Sequence, residues 1–442
     1  MSLYHSGMPL IPAPRDVDKS VFEADDPSTT KYGLPRYVAF CKRCVISNQR
    51  PNSAVEFKHT EHSKKATINF NDEGVCDACT FAEQKHGTIN WKDREDQLAV
   101  QCDRFRSKLG YDCLLPGSGG KDSFYASHYL RKRFGMHPLT VTWAPHVYTE
   151  WGWRNFQSWI HAGHDNQLMT PNGQVHRLLT RLAVDKLFHP FQAFMLGQKS
   201  LAPKMALLHQ IPFVVYGENE AEYGNPIGDT SSAKRDHAYY ANNDPAEVYL
   251  GGVSVKSLID DFGLEQQDLL PYMPADPAAL ERAQVEVHYL GYYLKWHPQS
   301  AYYYAVEHGG FEASPERTPG TYSKYNSIDD RIDDFHYHTT FVKFGIGRAT
   351  YDSAQEVRSG DITRDEAVAL VRRYDGEFPQ RFADEIFKYL SIPEREFGKA
   401  AQQFEQPMLD RAYYDRLADN FRSPHLWRWQ DGQWALRHTV FS

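Results

Sequence analysis

No cysteine follows Cys113 in this chain of 442 residues, and six cysteines are too few for a disulfide scaffold at that length. The residues beyond Cys113 therefore bring no thiol nucleophile and no thiolate ligand. Long apolar runs are lacking too. No stretch reaches the roughly 18 to 20 uninterrupted apolar residues of a membrane span, and the opening MSLYHSGMPLIPAPRDVDKS has no basic segment leading into an apolar one. The expected location is the cytoplasm. Positive charge is in deficit, with 49 Lys and Arg against 57 Asp and Glu and a formal net charge of −8. No basic cluster of the kind that grips nucleic-acid phosphates stands out, so neither membrane nor nucleic acid is an expected partner. Internal repeats are absent, and the 20 histidines show no metal-ligand spacing, so none is assigned a metal.

What is present points to a globular chain of two or three domains, with 41% hydrophobic residues to fill their cores. Aromatics reach 14%; they read first as packing and second as surfaces on which sugar rings can stack. Four of the cysteines form two C-x-x-C turns, CKRC at Cys41 and Cys44 and CDAC at Cys76 and Cys79. Each turn aims two thiolates at one ion, and two turns complete the tetrahedral sulfur set that Zn2+ prefers. With all four ligands Cys, no position stays open for catalysis, and the metal is expected to be structural. Redox or iron-sulfur use is the alternative.

The chain divides into an irregular arm over 1–38, a four-cysteine zinc-binding module over 39–92, an α/β domain over 93–274 and a mainly helical region over 275–442. From YDCLLP onward, apolar runs such as PLTVTWAP and IPFVVYGEN alternate with helical patterns, which predicts a parallel sheet with ligands at the carboxyl ends of its strands. A helix is predicted to begin near Ala202, with GQKS, Gly197 to Ser200, as the turn before it. After about residue 275 the predicted elements are helices, among them PQSAYYYAVEHGGF, RDEAVALVRRYDG, RFADEIFKYLS and EREFGKAAQQFE, and TRDE at Thr363–Glu366 reads as a capping box.

The stretch CLLPGSGGKDSFYAS runs a strand into a glycine-rich loop and then a helix. A Walker loop needs Ser or Thr after its Lys, but Lys121 is followed by Asp122. The dinucleotide pattern G-x-G-x-x-G fails as well, because Asp122 stands where the third glycine belongs. The run Ser118, Gly119, Gly120, Lys121, Asp122, Ser123 instead resembles the pyrophosphate (PP) loop of the ATP-pyrophosphatase superfamily. The glycines let backbone approach the pyrophosphate, and the two serines offer hydroxyl donors beside amides at the helix start. Lys121 can neutralise phosphate charge, while Asp122 can cap the helix or help hold Mg2+.

Further stretches, FCKRCVIS, GVCDAC, LMTPNGQVHRLLTRLA, HPFQAFMLGQKSLAPKMA, VVYGENEAEYGN, HYLGYYLKWHP and KFGIGRATYD, resemble the N-acetyl sugar amidotransferases of bacterial surface-polysaccharide pathways over nearly all of the chain. The resemblance implies a PP-loop ATP-pyrophosphatase domain that uses ATP and Mg2+. It implies adenylation of the acetamido oxygen of an N-acetylated sugar and its replacement by ammonia, giving an acetamidino sugar for LPS or O-antigen. It also implies a separate HisH-like glutaminase subunit, with or without a HisF-like conduit. Ser2 stands where an N-terminal glutaminase nucleophile would be, and neither Cys102 nor Cys113 lies in a nucleophile-bearing turn.

Other candidates surround this loop. In YGENEAEYG, Glu218, Glu220 and Glu222 surround Asn219, and such carboxylates can bind Mg2+, steer ammonia or accept its proton; a solvated acidic loop is the plain alternative. Glu218 is the catalytic candidate among them, with Asn219, Glu222, Gln198 and Lys199 as substrate contacts. By analogy with PP-loop amide-forming enzymes, Lys343 and Arg348 of KFGIGR would close over the departing pyrophosphate. DDRIDD, Asp329 to Asp334, reads first as a solvated helix face on which Asp329 and Asp333 align, and second as a magnesium site. Two rival functions remain. A tRNA-thiolating PP-loop enzyme would want cysteines after the loop and a basic surface, and a non-catalytic zinc scaffold would not need an intact loop.

Overall fold

A computed structural model describes residues 13–25, 29–225, 232–392 and 408–442. Its centre is a parallel sheet of five strands: β1 (Cys113–Pro116), β2 (Pro138–Trp143), β3 (Asp165–Met169), β4 (Phe213–Tyr216) and a fifth strand, Glu286–Tyr289. Their spatial order is β3-β2-β1-β4 and then the fifth strand, and every neighbouring pair is parallel. The chain moves from β1 outward to β2 and β3, then returns to the other side of β1 for β4. The loops after β1 and β4 thus flank the crevice where an open α/β sheet binds its ligands.

Local sequence explains most of this. PLTVTW in β2 is buried along its length, as an interior parallel strand should be. DNQLM in β3 is polar and largely exposed because it is the edge, where Asn166 donates to the Thr140 and Thr142 hydroxyls at 2.9 Å. Helix α1 (Lys121–Phe134) ends at Gly135, whose φ of 62° makes the left-handed cap after the basic run Arg131, Lys132, Arg133. Leu114 and Val214 have no exposed surface, and burial of such side chains contributes about 1.5–3 kcal/mol each. Two helices, Gly173–Leu187 and Gln192–His209, pack against one face, while α1 and the helix Glu150–His161 cover the other.

Several expectations need correction. The helix expected from Ala202 begins at Gln192 and passes through Pro203 without ending, so GQKS lies inside a helix and is not a turn. The Pro reads as a first-turn residue only if the apolar QAFML before it is ignored. The strand Glu286–Tyr289 lies beyond the boundary at 274, and a hairpin, Trp427–Gln430 with Gln433–Leu436, adds antiparallel structure to the expected helical region. The cysteine module and the C-terminal region share one core, in which Val45, Ile68 and Val75 cluster with Phe344, Val371 and Trp427. The capping box at Thr363 and Glu366 is formed. EREFGKAAQQFE lies almost wholly outside the described residues. No described helix is long and apolar enough to cross a membrane.

Candidate active site

The loop after β1 is shaped by contacts that only glycine permits. A Cβ on Gly117 would stand 2.2 Å from Ser123 Cβ, and Gly119, at φ 84°, would place one 2.7 Å from Phe156 Cα. Gly120 is the N-cap of α1 and faces more open space. Ser123 Oγ donates to the Gly120 carbonyl at 2.9 Å, and the Ser118 hydroxyl bonds to the Asp329 carboxylate. Asp122 does not cap the helix: one oxygen accepts from Lys121 Nζ at 2.5 Å and the other from Trp296 Nε1 at 2.9 Å.

This loop forms one wall of a cavity of about 720 Å³. The adjacent wall is the segment after β4, where an added Cβ on Gly217 would approach the Asp122 carbonyl oxygen to 3.3 Å. Such closeness brings Glu218 to the loop. Burial first, and then the Asp122 carboxylate, push Glu218 up to about 7, against the opposing pull of the Tyr223 hydroxyl and Lys121. Glu220 behaves differently: burial opposes its charge, but Arg235 Nη2 at 2.8 Å and Ser53 Oγ at 2.7 Å hold it below the usual carboxylate range. Neighbouring glutamates are thus tuned apart, one poised near neutrality and one kept ionised.

The third wall comes from the C-terminal region, through Asn326, Asp329, Asp333, His336 and Arg358. DDRIDD is therefore not a solvated face. Asp330, Asp333 and Asp334 are buried, and the helix begins only at Asp333, so Asp329 and Asp333 do not share a helical face. Asp330 is committed to His146, whose backbone and ring nitrogens it holds at 2.6 and 2.7 Å. Asp329 and Asp333 both face the cavity, raised above the usual carboxylate range chiefly by burial. Asp122, Glu218, Asp329 and Asp333 are among the carboxylates that line it.

Of the other candidates, Gln198 and Lys199 lie on the cavity wall. Asn219 instead caps the turn after it, accepting from Ala221 N at 3.2 Å, and Glu222 pairs with Lys85 at 2.7 Å away from the wall. Lys343 does not reach the cavity. Its helix ends at Phe344, and Nζ turns inward to the Leu187 carbonyl at 2.7 Å beneath Tyr32. Arg348 stands behind the wall, over the Tyr337 ring and 3.5 Å from Asp333. The cations on the wall are instead Arg50, Lys121, Lys199, Arg235 and Arg358. Burial works against Arg358, but the thiolates of Cys44, Cys79 and Cys76 and the Glu222 carboxylate favour its charge. No local motif marks Arg50, Arg235 or Arg358; only the fold assembles them.

Behind Arg358, the four cysteines converge. Cys41 Sγ lies 3.8 Å from Cys79 Sγ, Cys44 Sγ lies 3.8 Å from Cys76 Sγ, and all four sulfurs fall within 4.8 Å of one another. A tetrahedron with metal–sulfur bonds of about 2.3 Å has edges of about 3.8 Å, so the set is a four-cysteine metal site. Amides of Arg43 and Cys76 point at Cys41 Sγ, each at 3.4 Å, which favours thiolate.

Residues 319–440 match the family model described as LPS biosynthesis protein WbpG-like, C-terminal domain. Over this stretch the chain is similar to WbpG-like proteins. That match supports the resemblance to the N-acetyl sugar amidotransferases, and with the glycine-rich loop it supports a PP-loop-type enzyme related to LPS biosynthesis. A comparison with curated proteins gives no match. Among solved structures, the chain is similar to the U34-tRNA thiolase NcsA from Methanococcus maripaludis with its [4Fe-4S] cluster, at 10% identity over 77% of this chain and 90% of that one. The TM-score of 0.28 is too low to carry an argument. The WbpG-like domain supplies the third wall of the cavity, from Tyr325 to Arg358.

Proposed function

We propose that this protein is an AMP-forming amidotransferase that converts an acetamido group of an N-acetylated sugar to an acetamidino group in LPS or O-antigen biosynthesis. The observation that carries the reading is a single cavity shared by the S-G-G-K-D-S loop, the near-neutral Glu218 and the WbpG-like domain. ATP would lie with its phosphates over Ser118, Gly119, Gly120 and Ser123, with Lys121 balancing charge. Asp122, Asp329 and Asp333 offer the hard oxygen ligands that Mg2+ prefers. The sugar's acetamido oxygen attacks the α-phosphorus and pyrophosphate leaves. Ammonia then adds to the activated carbon, Glu218 accepts a proton, and AMP departs with the former acetamido oxygen. Arg50, Lys199, Arg235 and Arg358 suit a substrate that carries a carboxylate or phosphate.

The four-cysteine spacing supports a structural Zn2+, which would brace the wall bearing Arg358. Ammonia would come from a separate HisH-like glutaminase subunit. Burial holds Cys102 up at about 12 and Cys113 well above its usual range, so both thiols stay protonated and make poor nucleophiles. The test is to supply ATP, Mg2+ and a panel of N-acetylated sugars with either ammonium or glutamine. The reading expects AMP, pyrophosphate and an acetamidino sugar with ammonium, and none with glutamine until a glutaminase is added. ADP as the nucleotide product, or glutamine-driven turnover by the isolated chain, would contradict it.

A further inference from the structure

Outside this cavity, three side chains from distant parts of the sequence converge. Glu56 begins a short turn in the cysteine module, His59 follows it, and His189 lies between the helices Gly173–Leu187 and Gln192–His209. His59 Nδ1 is 3.3 Å and His189 Nε2 is 3.8 Å from the same oxygen, Glu56 Oε2. One ligand atom from each residue falls within 4.8 Å of the other two. The histidines carry no sequence signal, because His189 lies far along the chain from Glu56 and His59. The spacing of the histidines along the chain gives no sign of this grouping.

We propose that Glu56, His59 and His189 form a second metal site, distinct from the four cysteines, that takes a borderline divalent cation of the Zn2+ type. Two imidazoles and one carboxylate are a donor set that Zn2+ accepts with its fourth position left open. At bond lengths of about 2.0–2.2 Å a tetrahedron has edges of about 3.3–3.6 Å, so the His59–Glu56 edge already fits and the His189–Glu56 edge must shorten by a few tenths of an ångström. Burial holds both imidazoles below their usual range, while Lys65 leads the groups that draw the Glu56 carboxyl well below its usual range against burial. The His189 ring stacks on His336 at 5.2 Å with Nε2 toward Glu56, and its other nitrogen, the buried Nδ1, has no hydrogen-bond partner among the described residues.

Lys65 is the counterweight. Its Nζ lies 3.5 Å from His59 Nδ1, so it supplies the positive charge that a bound cation would supply. Lys65 is only partly buried and can swing outward when metal enters. Lys343 is a further buried cation whose charge acts on both histidines. A cation here would tie the cysteine module to the sheet domain beside His336, a residue of the cavity wall.

The test is metal stoichiometry on the full chain, first stripped with a strong chelator and then titrated with Zn2+ and, separately, Co2+. Two equivalents are expected. The first gives the thiolate-to-cobalt charge-transfer band of the cysteine site, and the second binds more weakly without adding to that band. His59→Gln and His189→Gln should each weaken the second equivalent about tenfold or more while the thiolate band persists, which also reports that the module has folded. Lys65→Met, which removes the competing charge, should tighten it. Uptake of the thiolate-bound equivalent alone by the wild-type chain would overturn the proposal, as would a second equivalent unchanged in both histidine variants or weakened by Lys65→Met.

Discussion

Trp296 donates its indole N–H to Asp122 Oδ1 at 2.9 Å, joining the segment after the fifth strand to the first turn of the phosphate loop helix. With Lys121 on the other oxygen, both faces of this carboxylate are fixed before any nucleotide arrives. A hydrogen bond to a charged group contributes about 1.5–3 kcal/mol, so Trp296→Phe should lower kcat/KM for ATP about 10-fold to 100-fold with the fold intact. Steady-state AMP release together with circular dichroism checks this. Unchanged kinetics would mean that Asp122 needs no such anchor.

Glu218 makes the pH dependence specific. Its folded value of about 7 is above that of an unfolded glutamate, so the base form, and with it turnover, should rise from about pH 6 to pH 8. The stability effect has the opposite sign. Charging a buried Glu218 costs stability, so its contribution, complete below the unfolded value, is lost as pH rises through about 7. In Glu218→Gln the rise in activity should vanish and the melting temperature should fall less over the same interval. Rates measured at constant free ammonia separate this limb from the titration of ammonium.

Arg358 and Lys343 should separate function from packing. Arg358 lines the cavity, whereas Lys343 is bonded to the Leu187 carbonyl away from it. Arg358→Gln should therefore reduce kcat/KM about 100-fold, the scale of losing one charge-stabilising group. Lys343→Met should alter the melting temperature and leave kcat/KM within about 2-fold, because it touches no reacting group. A reversal of these effects would restore Lys343 to the pyrophosphate.

The metal site of the cysteine module shares its core with the C-terminal region, so its loss should be felt beyond the module. Cys76→Ser should lose the thiolate-bound metal, lower the melting temperature and increase proteolysis in both parts. Metal analysis and limited proteolysis on the purified variant check this. An unchanged metal content would remove Cys76 from the ligand set.

The sequence makes the strongly patterned parts legible. CLLPGSGGKDS has the apolar run and glycine spacing of a strand and loop, and the two C-x-x-C turns state their ligands outright. The polar edge strand DNQLM lacks the apolar alternation that marks a strand, and Pro203 disguises the start of a helix that the apolar residues before it extend. Glu218 is visible because it closely follows the apolar strand β4. Arg235 and Arg358 are not, since their roles come from non-local packing against Glu220 and the cysteine thiolates. KFGIGR illustrates the reverse error: two cations at the ends of one short motif read as one clamp, yet the helix break at Gly345, φ 68°, sends Lys343 and Arg348 to different places.

The most direct test of the proposed chemistry follows the acetamido oxygen. An N-acetylated sugar substrate carrying heavy oxygen in that group, incubated with ATP, Mg2+ and ammonium, should transfer the label to the phosphate of AMP as the acetamidino product forms. Unlabelled AMP, or release of the heavy oxygen into water, would show that the amide oxygen is never adenylated.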